Sequence, residues 1–337
     1  MEKKVAVGHE TVTLTLDGNN EVSGAGCTCA LWNGHLRHRG QDCNHITEAK
    51  SGYTASTTVK SGTAVEWRDG LRQAIQKYID ACAVEVKEVL EEGHRASLFI
   101  GPTGMGKSTA IKQAIRQSGT YFAQAVGAAA HTPATMLGMV AQGVAHPGPI
   151  ADAWEMARKG KTTFFLDELF RFPQSVSTLL INCMEVVDAA LAERGGMYRT
   201  HPQLAGKDIL VISAPLWPLD ICPAENLTFV TAANPWGTIP DPAVMRRVTD
   251  VRKFSFDPEV NDWGLSNHFL PSTWECISKT FMAVKSGEIA VPFAFDSMMA
   301  MKGPGDTGPL RAYAMKSELM GEFAGLESIF RMHNIIQ

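Results

Sequence analysis

The feature that most constrains this chain is a glycine-rich loop at residues 101–108, which has the spacing G-x-x-x-x-G-K-S. The apolar run at residues 97–100 predicts a buried strand before the loop, and residues 109–115 predict an amphipathic helix after it. Glycines let consecutive backbone N–H groups converge on phosphate oxygens, and the helix adds its positive N-terminal end. The sequence therefore predicts a phosphate-binding loop between a strand and a helix.

An acidic pair predicts the second half of a nucleotide site. Asp167 and Glu168 follow the continuous apolar run at residues 162–166, which is typical of a parallel strand buried on both faces. Together with the loop, this order predicts that Ser108 and Asp167 hold Mg²⁺, while Glu168 polarises an attacking water as general base. Lys107 is expected to reach the β- and γ-phosphates.

A third apolar run, at residues 227–233, ends in Asn234. An asparagine at such a strand end can position the lytic water, although a turn-forming role before Pro235 is the simpler interpretation of the residue alone. The full set expected to contact ATP and its magnesium comprises Gly101, Thr103, Gly104, Met105, Gly106, Lys107, Ser108, Thr109 and Asp167, with Glu168 and Asn234 as catalytic candidates.

From about residue 65 onward, these motifs resemble those of AAA+ ATPases, and within them the MoxR-like group. Further matching segments are 148–153 with Gly160, 234–238 (sensor 1), 243–248 (arginine-finger helix) and 308–312 (sensor 2). The resemblance implies Arg247 as a finger acting in trans, with Arg246 as its rival, and Arg311 as a phosphate sensor in cis. Val248 departs from the family, which usually has Phe there.

The same resemblance implies a homo-oligomeric ring, expected to be a hexamer, that couples ATP hydrolysis to remodelling of a protein partner. A protein with a von Willebrand A domain is one such partner. The alternative function is a DNA-binding motor or processing factor. A third, weaker hypothesis is an adaptor that uses nucleotide binding only as a switch, against which Glu168 and the arginine candidates speak.

The N-terminal region carries a candidate zinc site. Cys27 and Cys29 form one closely spaced pair, and Cys43 and His45 form another, which suits tetrahedral Zn²⁺. The order C-x-C…C-x-H resembles the SWIM zinc-binding domain, which implies a ββα unit that binds DNA or protein. The basic strip at residues 35–39 contains two histidines that compete with His45 as fourth ligand and offers a nucleic-acid contact, but a solvated loop is favoured.

These segments predict a chain of four parts. They are a zinc module at residues 1–50, a Gly/Ser/Thr-rich linker at 51–64, an α/β core with a parallel sheet at 65–256, and a helical lid at 257–337. The core is expected to be a three-layer AAA+ P-loop fold. Residues 195–226, between the acidic pair and Asn234, are expected to form inserted β-hairpins.

Composition limits the remaining classes. The net charge of −4, from 31 basic and 35 acidic residues, argues against a surface that is basic throughout but allows a local basic patch. The other four of the seven cysteines stand singly among apolar neighbours and are expected to be buried. No apolar run is long enough to span a membrane, and no signal-peptide pattern is present, which favours a cytoplasmic protein without membrane contact.

Overall fold

The computed structural model describes most of the chain after the N-terminal region. The described residues are 2–7, 10–16, 22–27, 64–141, 144–214, 217–234, 241–322 and 326–332.

A five-stranded sheet forms the centre of the molecule. Its strands are β4 (Ala96–Ile100), β5 (Tyr121–Val126), β8 (Thr162–Asp167), β12 (Leu227–Ala233) and β13 (Asp250–Lys253). The order across the sheet is β13-β4-β12-β8-β5, and every neighbouring pair is parallel. The carboxyl ends of all five strands therefore lie along one edge, where ligands of open α/β sheets bind.

Helices cover both faces of this sheet. They include α1 (Ala64–Glu91), α2 (Lys107–Ser118), α3 (Pro133–Leu137), α4 (Pro149–Lys159), α5 (Gln174–Cys183) and α7 (Pro242–Met245). The short helix α6 (Ala189–Arg194) instead buries Ala192 in a separate cluster with Ile209 and Ile221. Successive side chains of a strand point to opposite faces, so Phe165 packs with α1 and α2 whereas Phe164 and Leu166 pack with α4 and α5. Burial on both faces accounts for the uninterrupted apolar strands of the sequence.

The C-terminal helical segment follows β13. It contains α8 (Pro271–Ser286), α9 (Phe295–Met299), α10 (Gly308–Leu319) and α11 (Glu327–Met332). Its buried residues belong to the same hydrophobic cluster as α1 and α2. An aromatic group joins the two sides, because the ring of Phe256 lies 5.5 Å from that of Tyr78 in α1 and 4.7 Å from that of Phe281 in α8.

Two antiparallel ribbons extend this core. Strands β10 (Ile209–Ala214) and β11 (Trp217–Pro223) form one hairpin, and the short strand β9 (Val186–Val187) pairs with β10. Residues 197–199 and 202–204, within the stretch expected to be hairpins, form 3₁₀ turns instead. The second ribbon, β6 (Gly138–Ala141) with β7 (Val144–Pro147), is not predicted from the sequence and exposes Met139, Val140 and Val144.

The N-terminal region contains three antiparallel strands rather than the expected two. They are β1 (Glu2–Val7), β2 (Glu10–Leu16) and β3 (Val22–Cys27). Cys27 is the last residue of β3 and pairs with Val12. The other proposed zinc ligands, Cys29, Cys43 and His45, lie outside the described residues, as do residues 45–50, where the implied ββα unit would have its short helix. None of the described helices is long and apolar enough to cross a membrane.

Candidate functional site

The loop between β4 and α2 depends on its glycines. Gly104 and Gly106 have φ angles of +78° and +73°, in the left-handed region that favours glycine. A Cβ on Gly101 would lie 2.5 Å from the carbonyl oxygen of Phe254. Gly106 is the N-cap of α2, and no side chain forms a capping hydrogen bond with the N–H groups at the start of this helix. The first turn of α2 contains no acidic residue. The backbone there is therefore open to an anion.

The predicted phosphate-loop residues surround a cavity of about 210 Å³ at the carboxyl edge of the sheet. Asp167 at the end of β8 and Asn234 after β12 border the same cavity because their strands are adjacent and parallel. The lining residues are Thr103, Gly104, Met105, Gly106, Lys107, Ser108, Thr109, Asp167, Glu168, Ala232, Ala233, Asn234 and Asp296. The remaining predicted contact, Gly101, is not among the residues that line this cavity. Its N–H donates to the Ala233 carbonyl.

Among the described residues that line this cavity, Lys107 is the one cation. Its Nζ donates to the carbonyl oxygens of Gly101 and Pro102, at 2.6 and 2.7 Å, and to Oδ1 of Asn234 at 2.9 Å. Burial lowers the pKa of the Lys107 amine to about 8, although the carboxylates of Glu168 and Asp167 favour its charged form. All three ammonium donors thus have protein partners before any phosphate is bound.

Asn234 connects the loop to the acidic pair. Its Oδ1 accepts from Lys107, and its Nδ2 donates to both carboxylate oxygens of Glu168, at 3.2 and 2.9 Å. An ammonium can only donate and a carboxylate can only accept, so the opposite orientation of the amide would lose every one of these bonds. The result is a continuous chain of polar contacts, Lys107–Asn234–Glu168, across the cavity.

The acidic pair itself has an uncommon backbone geometry. Glu168 has a φ of +52°, which few non-glycine residues adopt, and its N–H donates to Oδ1 of Asp167 at 3.1 Å. Both carboxylates border the cavity. Arg171, at 3.6 Å from Glu168, provides an additional exposed ion pair.

The three predicted arginines do not line this cavity. Arg247 forms an ion pair with Glu185 at 2.8 Å and donates to the Ala243 carbonyl, while Arg246 is exposed. Arg311 is exposed on the first turns of α10. A role of Arg311 at the phosphates of its own chain therefore requires α10 to move toward the loop.

The C-terminal helical segment contributes a different residue, Asp296, to the cavity. Asp296 is not among the residues that the sequence predicts, because it belongs to no motif and stands in a short helix that follows Pro292. Its position depends on the packing of α9 against the loop, where Ala294 lies 2.7 Å from the place a Cβ on Gly104 would occupy. No local sequence signal could have found it.

A second, mainly apolar cavity of about 380 Å³ adjoins the start of the loop. Gly101, Pro102 and Met105 form its loop side, and Met105 also borders the phosphate cavity. The opposite side is provided by residues after β13 and by α8, namely Phe254, Phe256, Phe281 and Val284. The two cavities thus meet at the loop, one polar and one apolar.

The donor types suit magnesium rather than a softer metal. The Ser108 hydroxyl and the Asp167 carboxylate are hard oxygen ligands that border the same cavity. Within the described ranges, no group of three or more His, Cys, Asp or Glu is placed to hold a metal ion by itself. Mg²⁺ usually keeps several waters and uses phosphate oxygens, so two protein oxygens are a sufficient set.

The fold and the site together define an α/β core with a parallel sheet and a phosphate-binding loop at its carboxyl edge, which confirms that part of the predicted fold class. No protein-family model matches the chain, and no curated protein matches it. Among solved structures, it is similar to NtrX from Brucella abortus, with 13% identity and a TM-score of 0.35, over 86% of this chain and 56% of NtrX. It is also similar to a RuvB variant from Thermotoga maritima, with 13% identity and a TM-score of 0.32, over 80% of this chain and 71% of RuvB. Similarities of this size assign no activity to the chain.

Proposed function

We propose that this protein binds Mg²⁺–ATP and hydrolyses it. The observation that carries the proposal is the polar chain Lys107–Asn234–Glu168, which joins three separate motifs across one cavity. A chance glycine turn and a solvated strand end would not be expected to bring residues from such distant positions in the sequence into contact. Their types are those that phosphoryl transfer needs, namely a cation, a carboxylate base and a positioning amide.

Each residue has a distinct role in the proposed reaction. The loop N–H groups and the Lys107 ammonium bind phosphate oxygens, while Ser108 and Asp167 hold Mg²⁺, which neutralises charge on the transferring phosphoryl group. Glu168 accepts a proton from the attacking water. Because Asn234 contacts both carboxylate oxygens of Glu168, it orients the base and competes with the water for the same lone pairs.

The apolar cavity is the proposed binding site of the adenine ring of ATP. It begins at Pro102 and Met105, next to the phosphate cavity, and its aromatic walls Phe254 and Phe281 suit a flat heteroaromatic ring. Its volume of about 380 Å³ is within the ordinary range of small-molecule pockets.

Glu168→Gln is the direct test of the proposed chemistry. It keeps the side-chain shape and removes the base, so ATP affinity should stay within about threefold while turnover falls by about 10²–10⁴-fold. Glu88→Gln, on the exposed side of α1, is the matched control and should hydrolyse ATP at the wild-type rate. Turnover of Glu168→Gln at the wild-type rate would show that Glu168 is not the base.

We further propose that the chain acts in a homo-oligomeric ring in the cytoplasm, where Arg247 of one subunit serves the site of the next. Arg247 is held by the exposed carboxylate of Glu185, a weak surface pair that a neighbouring nucleotide could replace. Mixing Arg247→Ala protein with Glu168→Gln protein tests this arrangement. In a mixed ring, a site that keeps Glu168 can receive Arg247 from its Glu168→Gln neighbour, so activity should exceed that of either variant alone. An activity equal to the mean of the two separate variants would contradict a role of Arg247 in trans.

The proposed substrate of such a ring is a protein partner, following the MoxR-like resemblance, with a zinc module in the N-terminal region for recruitment. Protein captured by ATP-loaded Glu168→Gln, but not by Lys107→Met, would support this function. Strong, salt-sensitive stimulation of ATP hydrolysis by DNA would favour the motor alternative. Zinc bound at less than about 0.1 per chain, or zinc unaffected by Cys27→Ser, would contradict the zinc module.

A further inference from the structure

The phosphate cavity has an acidic residue that does not belong to its acidic pair. Asp167 and Glu168 stand at the end of a strand of the sheet, whereas Asp296 reaches the cavity from α9 of the C-terminal helical segment. Among the described residues, the ionisable ones that line the cavity are therefore three carboxylates and the ammonium of Lys107. Such a lining favours cations and disfavours a bare polyphosphate.

The position of Asp296 is determined by its neighbours in α9. Phe295 is buried, and its ring lies 5.2 Å from that of Tyr78 and 5.7 Å from that of Phe256. Ala294, on the other side, packs against Gly104 of the loop. Asp296 itself is exposed, and its carboxylate forms no hydrogen bond or ion pair with the residues that the structure describes. Its negative charge is therefore uncompensated by a protein cation.

Among the described residues that line the cavity, Lys107 is the one cation. Its ammonium already has three hydrogen-bond partners, which are the carbonyl oxygens of Gly101 and Pro102 and Oδ1 of Asn234, so an incoming polyphosphate has to share or replace them. Asp296 lies close to the loop, with Oδ2 at 4.0 Å from the position of a Cβ on Gly104. A polyphosphate bound at the loop would thus have Asp296 beside it.

We propose that Asp296 is a specificity-determining residue that makes the cavity accept a polyphosphate together with its divalent cation and disfavour the uncomplexed anion. This inference rests on the proposed nucleotide function and concerns how that site selects its ligand. Repulsion between Asp296 and the phosphates grows with the number of phosphate charges. A bound Mg²⁺ offsets it, because the cation neutralises part of that charge.

The test is the nucleotide affinity of Asp296→Asn, measured by calorimetry with ATP, ADP and AMP in EDTA and with ATP in excess Mg²⁺. In EDTA, removal of one exposed charge should tighten ATP binding by roughly threefold to tenfold, ADP binding by less, and AMP binding least. The gain with Mg²⁺–ATP should be smaller than the gain in EDTA. At about 1 M NaCl the gain in EDTA should largely disappear.

Two variants separate this role from a structural one. Asp296→Glu keeps the charge and should retain the wild-type discrimination, and Glu318→Gln, on the exposed side of α10, removes a distant charge and should leave all affinities unchanged. If Asp296 only stabilises the first turn of α9, Asp296→Asn would lower the melting temperature and leave the ATP, ADP and AMP affinities in EDTA at their wild-type ratios, which would overturn the proposal.

Failure of the proposed function has a different signature. Wild-type protein that binds ATP neither with Mg²⁺ nor in EDTA would contradict nucleotide binding itself. Wild-type protein that binds Mg²⁺–ATP, combined with an Asp296→Asn variant whose affinity in EDTA is unchanged, would contradict only the role of Asp296.

Discussion

The two sides of the phosphate cavity are built in different ways. On the sheet side, the loop, the acidic pair and Asn234 are attached to adjacent parallel strands, so their backbone hydrogen bonds determine their spacing. On the helical side, α9 has five residues and no strand pairing. Contacts of Phe295 and Ala294 position it, and the N–H of Phe293, just before it, donates to Oγ1 of Thr280. The residues of the sheet side are placed by backbone pairing and form motifs, whereas the helical side depends on long-range contacts of side chains and carries a residue that no motif includes.

This difference indicates where substitutions should act. Changes on the sheet side should affect ligand binding and chemistry strongly with little effect on the neighbouring helices. Changes at the junction with α9 should affect the free energy of unfolding and the charge of the cavity.

Lys107→Met should produce the largest effect on ligand binding. It removes the cation that Lys107 contributes to the cavity and leaves Oδ1 of Asn234 without this donor. We expect a loss of ATP affinity of about 10²-fold or more, measured by calorimetry. Lys112→Met, farther along the same helix, is the control and should bind ATP normally. A loss below about threefold would place the phosphates elsewhere.

Gly104→Ala should destabilise the junction between the loop and α9. The new methyl group combines a φ of +78° with a contact of 2.7 Å to Ala294. Gly93→Ala is a matched control, since its φ is +77° but no atom lies within 4 Å of the added Cβ. Urea unfolding should show a cost of about 1 kcal/mol for Gly93→Ala and about 2 kcal/mol or more for Gly104→Ala. Equal losses in the free energy of unfolding for the two variants would indicate that Ala294 of the α9 region does not pack tightly against Gly104.

ATP binding should draw a proton onto Lys107 at alkaline pH. Its pKa of about 8 lies below the ordinary 10.5 because burial disfavours the charged amine, whereas bound phosphates favour it. The affinity should therefore decrease as the pH rises through 8, by up to about tenfold per pH unit, and binding should take up about 0.7 proton at pH 8.5 but almost none at pH 6.5.

Calorimetry in two buffers of different ionisation enthalpy measures this uptake directly. Lys107→Arg is the control, because its guanidinium stays charged throughout and should take up no proton. Equal uptake by the wild type and Lys107→Arg would assign the proton to another group.

Arg311→Ala should produce the smallest effect. The side chain is exposed and does not line the cavity, so ADP and ATP affinities should each change by less than about twofold. A tenfold loss of affinity for ATP with unchanged affinity for ADP would show that α10 moves to the γ-phosphate. That result would make the helical side an active part of the site rather than a passive wall.

The sequence was sufficient for the sheet side of the site. Glycines near Lys107 are required by positive φ angles and by close packing of the loop backbone. The uninterrupted apolar strands before Asp167 and Asn234 result from burial on both faces of the sheet. These signals are local, so a single chain displays them. The parallel pairing of β12 with β4 and β8 brings the motifs together. No single segment of the sequence predicts which strands pair.

Other parts of the fold left weaker signals. Strand β3 contains Ser23, Gly24, Ala25 and Gly26, small residues with low β-propensity, so it was missed. The β6–β7 ribbon is short and lacks a standard two-residue turn sequence. Asp296 was missed because its place in the cavity results from the contact of Phe295 with Tyr78, two residues that no sequence pattern relates.

The aromatic group at Tyr78, Phe256, Phe281 and Phe295 has a consequence for how the molecule can move. These rings come from α1, from the segment after β13, and from α8 and α9, and they meet edge to face at 4.7 to 5.7 Å. A free hinge needs a boundary with few contacts, which is absent among these described elements. Displacement of the C-terminal helices would instead proceed by shear, in which packed rings slide between alternative arrangements, so its amplitude is limited to small steps.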